Sequence, residues 1–155
     1  MTAPHTASPA PTEAEIVRIG EGLLDRSLPL AHWTHAAHCI ACLYLMVRRA
    51  DIELAKALPG IIWRYNEATG TPNSDQDGYH ETITRFYLLV IRDWLARQPA
   101  GRTLPEIVAA FLASDLAARD LPLRYWSRDR LMSVQARRVW VEPNRRSLDL
   151  DRLGS

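Results

Sequence analysis

The stretch THAAHCIACLYLMVRR, residues 34–49, decides the fold class because it forms one continuous helical pattern that is apolar nearly all round. At its centre lies an unbroken apolar run from Cys39 to Val47. A helix that is hydrophobic on every side is normally buried by its neighbours. We therefore predict a helix from about Thr34 to Arg49 at the centre of the protein.

Helix-start signals and helix breakers place further helices on both sides of this segment. Thr12 with Glu15, and Thr103 with Glu106, have the spacing of capping boxes, and Pro59 is expected to interrupt or kink the third helix. No useful period-two alternation and no internal repeat is present, so the pattern predicts an all-α, single-domain bundle of about five main helices with short C-terminal helical pieces. The predicted helices cover about residues 12–28, 34–49, 52–69, 79–97 and 103–118, with short pieces after Ser127 and Ser133.

The two ends of the chain differ from the middle in composition. Residues 1–11 are rich in Pro, Ala and Thr and are predicted to be a disordered leader. The predicted bundle domain spans residues 12–143, and residues 144–155 are predicted to be a flexible tail.

The bulk composition excludes several classes of protein. The 155 residues are 47% hydrophobic with a net charge of +1, which fits a globular domain and gives no general attraction for nucleic acid. No apolar run is long enough to span a membrane, and the N-terminus lacks the apolar block of a signal peptide. Two cysteines three residues apart without an export signal point to a reduced compartment. We expect a cytoplasmic protein without membrane or nucleic-acid partners.

Histidines and cysteines gather on one side of the predicted central helix. At about 100° per residue, His35 and His38 face the same way and can reach one ion together. His80 falls on the inward face of the predicted fourth helix and is the only other internal histidine that could join them. Three neutral imidazoles from two helices suit a single Zn, Cu, Fe or Ni ion with open positions for water or substrate.

Other interpretations of these residues stay open. The histidines could form a purely structural polar cluster, since a lone histidine on an apolar helix face is usually a buried, hydrogen-bonded imidazole. They could also include a catalytic histidine that needs no metal. Cys39 and Cys42 lie mid-helix, where small buried hydrophobes are expected rather than a thioredoxin-type pair, although thiolate ligation of a soft ion is the alternative.

Several polar residues are candidates for contacting a substrate. Arg64 and Tyr65 end the predicted third helix, and Arg128 lies in the segment RYWSRDR; each combines arginine with neighbouring aromatics. Such a pairing can hold a carboxylate or phosphate, although solvated helix ends would look the same. Glu81 is the candidate general acid or base if it turns towards the histidines.

The blocks HWTH, RYN, GYHETITRF and YWSRDRLMS resemble a family of small, uncharacterised bacterial all-helical proteins in which W-T-H-x-x-H and Y-H-E-T recur. The resemblance covers most of residues 30–143. It implies that the residues of those two blocks belong to a shared pattern, and it does not extend to Cys39 or Cys42. It implies no activity.

The sequence therefore predicts a small helical metalloprotein, an enzyme that acts by hydrolysis or oxidation on a small substrate, for which an anion is one candidate. One alternative is a non-enzymatic interaction module, because residues 119–155 carry nine basic and five acidic residues. Another is a copper- or zinc-handling protein that uses the cysteines. A homodimer is compatible with all three.

Overall fold

The computed structural model describes residues 10–149, which form seven α-helices joined by loops and 3-10 turns, with no β-strand in that range. The predicted all-α bundle is confirmed, and five of these helices are the main ones. The first four are α1 (Glu13–Leu24), α2 (His35–Arg48), α3 (Leu54–Ala68) and α4 (Glu81–Ala96). They are followed by α5 (Leu104–Leu112), α6 (Arg128–Leu131) and α7 (Val134–Arg138).

Helix α2 lies at the centre of the bundle, as its sequence predicts. It begins where the Thr34 hydroxyl accepts a hydrogen bond from the Ala37 backbone N–H at 3.2 Å, which satisfies one of the free donors of the first turn. Every residue from Cys39 to Leu45 is buried, and α2 packs against α1, α4 and α5. The helix is therefore apolar all round because it has neighbours on several sides.

The contact between α1 and α2 depends on a glycine. A Cβ atom built on Gly20 would lie only 2.0 Å from Cδ1 of the Tyr44 ring, so no larger residue fits there without moving the ring. The missing side chain lets the two helices approach closely, with Ile16 and Leu23 buried on the same face of α1.

Four predicted helix boundaries are corrected by the structure. Helix α1 ends at Leu24 rather than at residue 28. Helix α4 begins at Glu81 rather than at Tyr79, because His80 is its N-terminal cap. Helix α5 ends at Leu112 rather than near residue 118, where the Ser114 hydroxyl donates to the Phe111 carbonyl and the chain enters a 3-10 turn. Helix α3 begins at Leu54 and continues through Pro59 without interruption.

The C-terminal segment is fastened to the start of α4 by a buried hydroxyl. Thr82 is 0% exposed, and its hydroxyl shares its proton between the carbonyls of Ala136 and Val139, at 2.7 and 2.9 Å. The same oxygen accepts from the Val141 backbone N–H at 3.3 Å. These bonds place α6 and α7 beside α4.

Ordered contacts continue past residue 143, the predicted end of the bundle. The backbone N–H groups of Asn144 and Arg145 both donate to the Tyr125 carbonyl, at 3.1 and 2.8 Å. Most of the predicted leader and the last part of the predicted tail, residues 1–9 and 150–155, lie outside the described residues.

Candidate functional site

His80 has a structural role at the start of α4. Its Nδ1 accepts a hydrogen bond from the Ile83 N–H at 3.1 Å, which caps the helix, and its Nε2–H donates to the Leu131 carbonyl at 2.7 Å. The ring is 7% exposed, and burial lowers its pKa below the usual 6.5. Both ring nitrogens are occupied, so neither is free to bind a metal ion.

The predicted three-histidine centre is therefore not formed. Within residues 10–149, no three side chains among His, Cys, Asp and Glu lie close enough to hold one ion. The helical-wheel prediction placed His80 on the inward face of α4, whereas in the structure the helix begins one residue later, at Glu81, and the imidazole points towards Leu131. Helical periodicity does not give the direction of a side chain that lies outside the helix.

His35 lies in the first turn of α2 and faces the loop after α5. Its Nε2–H donates to the Ala117 carbonyl at 3.0 Å, and its ring meets the edge of Tyr87 at 5.2 Å. The Tyr87 hydroxyl donates to the next carbonyl along, that of Ala118, at 2.7 Å. Burial is the main cause that lowers the pKa of His35. The neutral ring therefore keeps Nδ1 as a lone-pair acceptor.

His38 differs from the other three histidines among residues 10–149, because its ring makes no hydrogen bond with that part of the chain. It stacks on Trp33, with ring centroids 3.8 Å apart. The side chain is open to solvent but lies in a concavity. Desolvation by the surrounding protein, reinforced by the charges of His35 and Arg119, lowers its pKa. At neutral pH His38 presents an unprotonated nitrogen to the concavity.

The concavity is an open cleft of about 830 Å³ between α2, α4 and the segments after α5. We call it the histidine cleft. Two arginines, Arg119 and Arg128, lie on its walls together with one carboxylate, that of Asp120. Neither guanidinium group makes an ion pair or a hydrogen bond with any residue in the range 10–149. The remaining walls of the histidine cleft are mostly aromatic and apolar. They are formed by Trp33, Ile83, Tyr87, Pro122, Leu123, Leu131 and Met132.

A smaller concavity adjoins the cleft on the inside of the bundle. This apolar pocket has a volume of about 80 Å³ and is enclosed mainly by α2, α3 and α4. Trp33, His35, His38, Ile83 and Tyr87 line both spaces, so the two share one wall. The deeper residues are Leu58, Ile62, Leu88 and Ile91, with Cys39 and Cys42 on the α2 side.

The two cysteines behave as buried apolar groups. Both are free and buried, and burial raises the pKa of each thiol to about 12. Metal ligation and nucleophilic chemistry need the thiolate, and burial suppresses that form here. This favours the interpretation of Cys39 and Cys42 as core residues over ligation of a soft ion.

Of the four non-histidine residues that were predicted to contact substrate or to catalyse, one lines the histidine cleft and three do not. Arg128 lines the histidine cleft, as a substrate-binding role requires. Tyr65 is 0% exposed, its hydroxyl donates to the Leu28 carbonyl at 2.7 Å, and it lines neither the cleft nor the pocket. Arg64 is exposed and lines neither the cleft nor the pocket.

Glu81 also lies apart from the histidines. It accepts a hydrogen bond from the Tyr79 hydroxyl at 3.0 Å and lines a different surface cleft with Arg85 and Arg92. It lines neither the histidine cleft nor the apolar pocket, so the structure does not bring the predicted general acid or base to the imidazoles.

Arg119 and Tyr87, which complete the cleft, are not among the site residues predicted from the sequence. Tyr87 lies one turn after Ile83 on the same face of α4, and this helical periodicity is its sequence signal. Arg119 belongs to an irregular segment, and no sequence pattern distinguishes it from the other arginines.

Two arginines of the predicted basic C-terminal face make contacts within the protein. Arg137 donates to the carbonyls of Gly78 and Tyr79 at 3.0 and 3.3 Å. Arg138 makes a two-bond pair with Asp75 at 2.8 Å. Their structural contacts weaken the case for an interaction module that depends on these two side chains.

Comparisons with known proteins add no relative to this picture: no family model, no curated protein and no solved structure matches the chain. The resemblance to a family of small bacterial helical proteins thus stays a prediction. Within residues 10–149, no helix is both long enough and apolar enough to cross a membrane.

Proposed function

We propose that the protein binds a small organic anion in the histidine cleft and that His38 accepts a hydrogen bond there, from the ligand or from a water beside it. The observation that carries the proposal is one cleft that holds two arginines and one neutral imidazole, none of which has a side-chain hydrogen bond or ion pair with residues 10–149.

The chemistry of the cleft is consistent with this role. Guanidinium groups recognise carboxylates and phosphates through paired N–H donors. A neutral imidazole whose nitrogen faces the same space is a hydrogen-bond acceptor at rest and a general base during a reaction. His35 is held rigidly by Ala117 and keeps its Nδ1 as a further acceptor.

The test is a titration of the protein with butyrate, benzoate and phenyl phosphate, monitored by ligand-observed NMR and calorimetry. Loss of a charge-assisted hydrogen bond weakens binding by about tenfold to a hundredfold, so Arg119→Gln and Arg128→Gln should each show a loss of that size. Arg64→Gln is the matched control, because Arg64 is exposed and lies outside the cleft. Equal affinities for all three variants, or no binding of any probe, would contradict the proposal.

A second proposal keeps the predicted metal ion but gives it two histidine ligands instead of three. His35 and His38 lie one turn apart on α2, and each has at least one ring nitrogen without a partner among the described residues. Two imidazoles and water could hold a Zn, Cu, Fe or Ni ion weakly. Metal analysis of untagged protein tests this: stoichiometric metal that disappears in His38→Ala would support it, and metal-free protein would refute it.

A further inference from the structure

The apolar pocket behind the histidine cleft defines which kind of anion fits. We propose that the ligand is a short-chain aliphatic carboxylate, with its carboxylate beside Arg119 and Arg128 and its alkyl end in the apolar pocket. This rests on the proposed function, since it takes the cleft to be the binding site, and it adds the class of ligand.

The first argument is position. The cleft and the pocket share the wall formed by Trp33, His35, His38, Ile83 and Tyr87. A ligand that lies along this wall contacts the arginines at one end and reaches Ile62 and Leu88 at the other. The ligand is therefore charged at one end and apolar at the other.

The second argument is the chemistry of the pocket. Among residues 10–149, no Asp, Glu, Lys or Arg lines the pocket, and its two thiols are uncharged because their pKa is raised by burial. Every buried side-chain nitrogen and oxygen in residues 10–149 already has a hydrogen-bond partner. Away from the two histidines of the shared wall, an alkyl group would bury its surface against Leu58, Ile62 and Ile91.

The third argument is size. The pocket measures about 80 Å³, whereas a cavity that takes up benzene measures about 150 Å³. The pocket therefore has room for an alkyl group of about three or four carbon atoms and excludes an aromatic ring. This separates an aliphatic acid from an aromatic one.

The fourth argument is charge. Asp120 lies in the same cleft as the two arginines, so the cleft carries one net positive charge when the histidines are neutral. That balance matches a carboxylate, which carries a single negative charge, better than the dianion of a phosphate monoester.

The experiment is a chain-length series of acetate, butyrate, hexanoate and octanoate, titrated into the full-length protein. Burial of each methylene group should tighten binding about fourfold until the pocket is full, after which longer chains gain nothing. Benzoate and phenyl phosphate should bind more weakly than the best aliphatic acid.

Two pocket variants and one control sharpen the test. Ile62→Val enlarges the pocket and should move the preferred chain length upwards by about one carbon. Ala41→Val narrows the pocket. It should reduce the gain in affinity from each added methylene group and leave the affinity for acetate unchanged. Ile16→Val removes the same methyl group from a buried site outside the pocket and should change nothing in the series. If Ala41→Val does not fold, the shift in Ile62→Val still decides the proposal.

The outcomes separate the two proposals. Binding that depends on Arg128 but not on chain length would overturn the aliphatic ligand and leave the anion cleft standing. A preference for benzoate or phenyl phosphate would do the same. Binding of none of the probes would overturn both. A chain-length optimum that moves in Ile62→Val and not in Ile16→Val is the supporting result.

Discussion

The indole of Trp33 covers one face of the His38 imidazole, with an angle of 27° between the rings. Trp33 is also packed edge-on against the buried ring of Tyr65, at 5.3 Å. The imidazole is therefore held against a fixed aromatic wall while its nitrogens stay in reach of solvent and ligand. This arrangement shields one face of the imidazole and leaves the cleft open.

Removal of this wall should raise the pKa of His38. In Trp33→Ala, water reaches the exposed face of the imidazole, and because desolvation is the main cause of the lowered pKa, the value should return towards 6.5. NMR titration of the histidine ring signals measures this directly. Trp63→Ala is the control, because Trp63 lies on another surface. An unchanged His38 pKa in Trp33→Ala would show that the stacking does not desolvate the ring.

Replacement of His80 by alanine should destabilise the protein equally with and without a chelator. The change removes the cap of α4 and leaves the Leu131 carbonyl without its donor, which together cost about 1–3 kcal/mol. Urea denaturation with and without EDTA measures the loss. His80→Asn restores the cap alone and should recover part of it. A loss of stability that appears only when metal is present would restore His80 as a ligand.

Acidification should destabilise the protein in the window below about pH 6.5. The pKa values of His35 and His80 are lowered in the folded state, chiefly by burial, so the unfolded chain binds protons that the folded chain does not. Stability is then complete above the unfolded pKa and falls as the pH drops, by at most about 1.4 kcal/mol per pH unit for each imidazole. Denaturation curves at pH 7.5, 6 and 5 test this, and His80→Asn should have the shallower dependence. A stability that rises on acidification would contradict the assignment.

Thr82→Val should lower stability although it preserves the shape of the side chain. The buried hydroxyl serves the carbonyls of Ala136 and Val139 and the N–H of Val141, and valine leaves all three without this partner. A loss of about 2–3 kcal/mol in denaturant unfolding is expected. Thr82→Ser keeps the hydroxyl and should lose less. Equal losses in the two variants would assign the effect to packing instead.

The two thiols should resist alkylation in the folded protein. With the pKa of Cys39 and Cys42 raised to about 12 by burial, the thiolate fraction at pH 8 is negligible. Mass spectrometry after iodoacetamide treatment should find neither cysteine modified in the native protein and both modified in urea. Rapid native alkylation of either residue would revive the interpretation as a metal or redox site.

The central helix and its caps follow from local signals, and so the bundle could be predicted from the sequence. Thr34 caps α2, and Thr103 with Glu106 forms the expected capping box of α5. The role of His80 could not be predicted, because its partner Leu131 lies 51 residues away. The histidine cleft could not be predicted from the sequence either. Arg119 and Arg128 meet His38 only through tertiary packing of segments that have no periodic pattern.

The loop that carries Arg119 is fixed by two helices at once. His35 of α2 binds the carbonyl of Ala117, and Tyr87 of α4 binds that of Ala118. The backbone next to Arg119 therefore loses its conformational freedom when the protein folds rather than when a ligand arrives. Preorganisation of this kind reduces the entropy lost on association. A modest number of contacts in the histidine cleft can then give a usable affinity, because His35 and Tyr87, which line the cleft, also hold the backbone beside Arg119 in place before a ligand binds.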